Sequence, residues 1–136
     1  AVGSRRHPEA TVSHTQSQLR GTLGDAFAWL GRRLLPVSLF DYQCGTKAID
    51  AESWALVRDD LYEPGFGWDV NLLAAAGNND LSVAEVPVSW SDRPGSTVDP
   101  LATTITLAGA LYRARRVRLL GRTGRRPLLE RLADHE

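Results

Sequence analysis

Residues 81–90 alternate in a way no helix tolerates: Ala84, Val86, Val88 and Trp90 fall on one face, Glu85, Pro87 and Ser89 on the other. A period of two with β-branched residues predicts a strand, and Pro87, which lacks an N–H, predicts an edge or irregular position for it. Around this stretch the periodicity is helical. Leu19, Leu23, Phe27, Leu30 and Leu34 recur at intervals of four, four, three and four, predicting a helix over residues 16–35 that Pro36 stops. Asp50 reads as the cap of a helix carrying Trp54, Val57 and Leu61, closed by Glu63-Pro64-Gly65. A further short helix is predicted over residues 68–76, with residues 77–80 as its exit turn. Asp99 and Pro100 read as the cap and first residue of a last helix. That helix runs through Ile105, Ala108, Leu111 and Tyr112 into Arg113, Arg115, Arg116 and Arg118, cations that suit the negative pole of a helix. Residues 1–15 read as a strand exit and loop. The order helix, helix, helix, strand, helix predicts an α-rich α/β chain with too few strands to make a sheet alone.

At 136 residues, 43% of them hydrophobic, the chain has room for one packed core and is not of disordered composition. Cys44 is alone, which excludes a disulfide scaffold, and with His7, His14 and His135 it shows no zinc-ligand spacing. No run approaches 18 apolar residues, so no stretch of these residues is expected to span a bilayer. The chain begins at Ala1 rather than Met and is expected to be a piece of something longer. Its zero net charge hides a segregation. Residues 1–36 carry five arginines against Glu9 and Asp25, residues 37–100 carry eleven acids against three cations, and residues 101–136 carry eight arginines against three acids. Fifteen of the sixteen cations are arginine, whose planar, always-charged fork suits phosphate.

Three loops concentrate chemistry. Asp41-Tyr42-Gln43-Cys44-Gly45-Thr46-Lys47 packs an acid, an amide, a glycine and a cation into seven residues, although a turn with a capping aspartate has the same letters. Gly65-Phe66-Gly67-Trp68-Asp69 places an aromatic and an acid at a helix start, as an N-cap with a buried tryptophan also does. Asp92-Arg93-Pro94-Gly95-Ser96-Thr97 offers an arginine, a glycine and two hydroxyls to an anion, or a surface turn after an edge strand. Cys44 has no histidine nearby in sequence and reads as a small buried residue.

Together these segments resemble the C-terminal half of a family 2 glycosyltransferase of the dolichyl-phosphate mannose or glucose synthase type. The resemblance is carried by Gly3-Ser4-Arg5, the helix led by Arg20, residues 41–47, Gly65-Phe66-Gly67-Trp68-Asp69, and Glu85-Val86-Pro87-Val88-Ser89-Trp90 running into Arg93-Pro94-Gly95-Ser96, five segments in the family's order. It implies an α/β GT-A fold that moves a sugar from a nucleotide sugar to a polyprenyl phosphate at a membrane surface, on its cytoplasmic face. By position, Arg5 and Arg20 are the implied acceptor-phosphate ligands. Arg93, Gly95 and Ser96 are the implied donor-phosphate loop, Asp41 and Gln43 the catalytic groups near the sugar, and Lys47 and Asp69 their supports. Residues 1–98 would form the acceptor-side half of the domain, and residues 99–136 a basic amphipathic helix and tail.

Three departures from the family pattern matter. Thr46 stands where the family usually has an aromatic residue. Asn71 stands where an acid is expected, which points to altered specificity. The Asp-x-Asp motif that would hold a magnesium or manganese ion for the intact enzyme, together with the nucleotide-binding strands, is expected before Gly3 and is not in this sequence. The implied picture is a part that needs a complementing N-terminal half, binds no metal by its own motifs, and does not catalyse transfer alone. The competing reading is a non-catalytic anion- or nucleic-acid-binding module using the arginines of residues 113–126. The acidic centre would repel a phosphate backbone, so no nucleic-acid partner is expected.

Overall fold

The structure, a computed structural model, describes residues 1–13, 18–91 and 99–120. The elements are β1 (Val2–Ser4), β2 (Thr11–Val12), α1 (Gln18–Leu34), α2 (Ala51–Val57), α3 (Trp68–Asn78), β3 (Glu85–Pro87), β4 (Ser89–Trp90) and α4 (Pro100–Leu120). Short 3₁₀ turns at Arg58–Asp60 and Gly65–Gly67 lead out of α2 and into α3. The helix-rich α/β class with few strands is the one the sequence implies, and it is compatible with part of a glycosyltransferase fold.

The strands differ from the sequence reading. Residues 81–90 form two short strands rather than one, and the polar N-terminus, read as a strand exit and loop, supplies a partner for each. β1 runs parallel to β3 with Val2 opposite Glu85 and Ser4 opposite Pro87, and β2 runs parallel to β4 with Val12 opposite Trp90. Val2 also bridges to Lys47 in antiparallel fashion, so β1 is flanked on both sides. Three residues are too few for periodicity to register, and Gly3 removes one of them from any apolar count. That glycine has a packing reason: a Cβ there would sit 2.9 Å from Val88 Cγ1 and 3.2 Å from Cys44 Sγ.

The core lies between the helices. In α1, Phe27 and Ala28 are buried while Leu30 and Leu34 pack at its margin. The ring of Tyr42 occupies the space above Gly31, where a Cβ would meet ring carbons at 2.8 Å. Asp50 caps α2 as expected, its carboxylate accepting from Ser53 N at 2.8 Å. α3 is the central element: Val70 to Ala76 are all buried, with Val70, Leu73 and Ala74 in the same buried cluster as residues of α1 and α4, and Leu72 and Ala75 joining Val57 and Leu61. α4 enters this core through Leu107, Ala110, Leu111 and Ala114. Its apolar positions therefore divide between two faces, because Ile105 and Tyr112 point outward, each 65% exposed. Among the described residues, no helix is long and apolar enough to cross a membrane.

Candidate functional site

The segment that leaves β1 meets the loop that follows α1. β1 ends at Ser4, which places Arg5 next to the segment that follows α1. That segment is fastened from four directions. The Tyr42 hydroxyl donates to Val37 O at 2.8 Å and accepts from Leu39 N at 3.0 Å, inside the short loop. Arg32 of α1 donates to Leu39 O at 3.1 Å. The Glu85 carboxylate on β3 accepts from Phe40 N and Asp41 N, each at 2.9 Å. At the far end Lys47 Nζ donates to Cys44 O at 2.5 Å and to Asp69 Oδ1 at 2.6 Å, tying the loop to the start of α3. Cys44 itself is buried, as its sequence setting indicates.

At the centre, Asp41 and Arg5 form a two-point pair. Arg5 Nε donates to Oδ2 at 2.7 Å and Nη2 to Oδ1 at 3.0 Å. Oδ2 also accepts from Arg5 N at 3.1 Å, and Oδ1 from Gln43 N at 2.9 Å. These four donors fill the acceptor sites of a carboxylate whose side chain is only 2% exposed. Burial opposes both charges, but the hydrogen bonds and mutual attraction prevail: Asp41 is held below, and Arg5 above, its ordinary range. Arg5 remains 22% exposed, with its guanidinium carbon over the Trp90 ring, 5.4 Å from the centroid. Its Nη1 has no partner among the described residues.

The sequence-predicted residues thus divide. Arg5, Asp41 and Gln43 come together, and Lys47 with Asp69 closes the loop beside them. The Asp41 carboxylate takes its four hydrogen bonds from N–H donors, three of them on Arg5. The side chain of Arg20, on α1, and residues Arg93, Gly95 and Ser96 lie outside the described residues. Glu85 and Trp90 belong to the segment that carries the resemblance but have no role in the sequence reading, since their neighbours emerge only with the parallel pairings of β1 with β3 and of β2 with β4. Asn71 is structural. Its Oδ1 accepts from Tyr62 N at 2.6 Å and Glu63 N at 3.0 Å, and its Nδ2 donates to Asp60 O at 3.2 Å. An acid in that place would lack the donor, so the amide has a packing reason independent of specificity.

A second buried acid, Glu63, is gripped from α4 by Arg113, Nε to Oε1 at 2.5 Å and Nη2 to Oε2 at 2.9 Å. A cleft of about 400 Å³ between the C-terminal ends of α3 and α4 includes Asp60, Asn71, Asn78, Asp80 and Arg118 in its lining, but none of Arg5, Asp41, Gln43, Lys47 and Asp69. The divalent cation implied by the resemblance finds no fitting donor set among the described residues. Asp41 is saturated by N–H donors, Asp69 is held by Lys47, and no three His, Cys, Asp or Glu side chains converge.

The chain is 31% identical over 113 residues to the glycosyltransferase AglD of Haloferax volcanii, an alignment that covers 83% of this chain and 18% of that protein. It is 31% identical over 120 residues to the dolichyl-phosphate beta-glucosyltransferase of Dictyostelium discoideum, covering 88% and 37% respectively. To the enzyme of the same name from Saccharomyces cerevisiae it is 30% identical over 124 residues, covering 89% and 36%. The chain therefore spans about a third or less of the length of these relatives. No family model and no solved structure matches it.

Proposed function

We propose that the chain, 30–31% identical over most of its length to a glycosyltransferase and to dolichyl-phosphate beta-glucosyltransferases, is part of a family 2 sugar transferase and holds the acceptor phosphate for transfer of a sugar from a nucleotide sugar to a polyprenyl phosphate. The observation that carries this reading is Arg5. Its Nε–Nη2 edge is locked by Asp41, leaving Nη1, which has no partner among the described residues, as a preset donor for an incoming phosphate oxygen. Preorganisation of this kind lowers the ordering cost at the moment of binding.

The chemistry asks little more of these residues. A phosphate monoester is already anionic near neutral pH, so its oxygen attacks the anomeric carbon without a general base. The bond to the nucleoside diphosphate breaks, and the leaving group departs with the electron pair. Catalysis then consists of alignment and charge stabilisation. We assign Arg5 and Arg20 to the acceptor phosphate and Arg93, Gly95 and Ser96 to the donor phosphates. Gln43 is placed near the sugar, with Lys47 and Asp69 fixing its loop. Residues 1–98 form the acceptor side of the domain. Because the sequence has no Asp-x-Asp pair, these 136 residues alone are expected to bind acceptor without transferring sugar, a complementing N-terminal half supplying the magnesium or manganese site. α4 seats the assembly peripherally on the cytoplasmic membrane face, with its outer apolar stripe toward the lipid.

The test is saturable binding of farnesyl monophosphate, a short polyprenyl phosphate, to the full chain. Arg5→Ala abolishes it under this reading, while Arg58→Ala, an exposed arginine beside Asp59, leaves it unchanged. Equal loss in both variants, or none in either, overturns the assignment. Steep salt-dependent binding of RNA or DNA in place of farnesyl phosphate would favour an arginine-based nucleic-acid module.

A further inference from the structure

We infer that Trp90 and Glu85 are positioning residues that hold Arg5 in its phosphate-receiving orientation, an inference that rests on the acceptor-phosphate reading of Arg5. A two-point pair with a carboxylate fixes a guanidinium within its own plane but leaves it free to hinge about the line joining the two carboxylate oxygens. The guanidinium carbon lies over the Trp90 indole, 5.4 Å from the ring centroid, so the ring stands in the way of that hinge on its side. Nη1 is then aimed in one direction rather than swept through an arc.

Glu85 acts one step further back. Asp41 can orient Arg5 only if its own backbone is fixed, and the Glu85 carboxylate grips that backbone at two successive N–H groups, Phe40 and Asp41, each at 2.9 Å. Both residues ride on the same register. β3 sets Glu85 opposite Val2, and β4 sets Trp90 opposite Val12, so the partners of the two strands that bracket Arg5 in sequence carry its two supports. Neither side chain is placed to touch the phosphate; each acts through Arg5 or Asp41.

The experiment combines a free-protein signal with a ligand signal in the full chain. The Arg5 Nε–H resonance in nitrogen-15 NMR is expected to be slowly exchanging and shifted by the indole ring current. Trp90→Leu moves that resonance, speeds its exchange and weakens farnesyl monophosphate roughly fivefold. Trp90→Phe keeps the aromatic face and stays within about twofold of the parent, the scale of a retained cation–π contact. Glu85→Ala releases the Arg5 signal similarly, whereas Glu85→Gln, which keeps an oxygen for both N–H groups, restores it. Leu107→Ala, a core truncation away from the site, controls for loss of stability by leaving the Arg5 resonance in place. An unmoved Arg5 resonance in both Trp90→Leu and Glu85→Ala overturns the inference. If the parent chain binds neither farnesyl monophosphate nor inorganic phosphate, the acceptor reading fails instead, and the free-protein resonance still decides whether Trp90 and Glu85 hold Arg5.

Discussion

Asp41 reaches Arg5 across 36 residues of sequence and accepts three hydrogen bonds from it, two from the guanidinium and one from the backbone N–H. A fourth, from Gln43 N, completes the carboxylate. The acid is therefore a fixed anion around which the cation is organised, and its energetic signature is a dependence of stability on acid.

Burial raises the cost of the Asp41 charge, yet the Arg5 hydrogen bonds and attraction leave its folded-state pKa depressed. A depressed acid contributes stability that is fully present above the unfolded-state value of about 3.9 and is lost as pH falls through the folded value. Asp41→Asn should flatten that acid limb. Urea midpoints measured from pH 6 down to pH 2 should converge for parent and variant at the acid end, with the variant about 2–4 kcal/mol less stable at neutral pH. Parallel curves offset by a constant amount would mean that the pair does not supply the acid dependence.

Lys47 is nearly buried, at 8% exposure, and spans from Cys44 O to Asp69. Lys47→Met keeps the stem and removes the charge, leaving the Asp69 carboxylate and a carbonyl without their donor. The expected loss is about 1–3 kcal/mol, the range for leaving a part-buried polar group unsatisfied. Faster amide exchange should be confined to residues 41–47 and the first turn of α3. Asp69→Asn, which still accepts from Lys47, should cost less than half as much when both variants are compared with the parent by thermal unfolding.

The helical segments and their caps were legible because they depend on neighbours in sequence. Asp50 bonds to Ser53, and Asp99 to Leu101 N at 2.9 Å, as their positions indicate. Cys44 was legible as buried for want of a histidine. The site was legible only as a set of loops. That Asp41 belongs to Arg5, and that Glu85 holds Phe40 and Asp41, follows from pairings separated by more than thirty residues, which no local period encodes. The two faces of α4 were illegible for a related reason: apolar residues surround that helix, and only its packing on α1 and α3 shows which of them turn inward.

Asn71 offers a sharper contrast between family pattern and local physics. Its oxygen accepts two backbone N–H groups while its nitrogen donates to Asp60 O. Asn71→Asp, which installs the acid the family pattern expects, keeps the acceptor but sets a second carboxylate oxygen 3.2 Å from a carbonyl. About 1–3 kcal/mol of stability should be lost at pH 7. Chemical denaturation of this variant at equal or higher midpoint than the parent would show that the 61–63 turn rearranges to accept the charge.

The last prediction concerns the outer face of α4. Leu101, Ile105, Tyr112 and Leu119 fall at helical spacing and are 59–66% exposed, while the opposite face is committed to the core. Arg115 and Arg116 flank this stripe, and no acid lies between Pro100 and Leu120. Apolar side chains with arginine heads beside them suit the boundary of an anionic bilayer, where stems lie along acyl chains and each cation adds about 1 kcal/mol. The chain should therefore co-sediment with vesicles of phosphatidylcholine and phosphatidylserine, and much less with phosphatidylcholine alone. Ile105→Glu with Tyr112→Glu should weaken binding by more than tenfold, since two apolar contacts are replaced by anions facing an anionic surface. Arg115→Ala with Arg116→Ala should weaken it less and remove most of its salt dependence. Retention of binding by the double glutamate variant would place the lipid contact elsewhere on the molecule. Concentration-dependent self-association of the parent that the same glutamates abolish, without vesicle binding, would make the stripe a contact between copies of the chain.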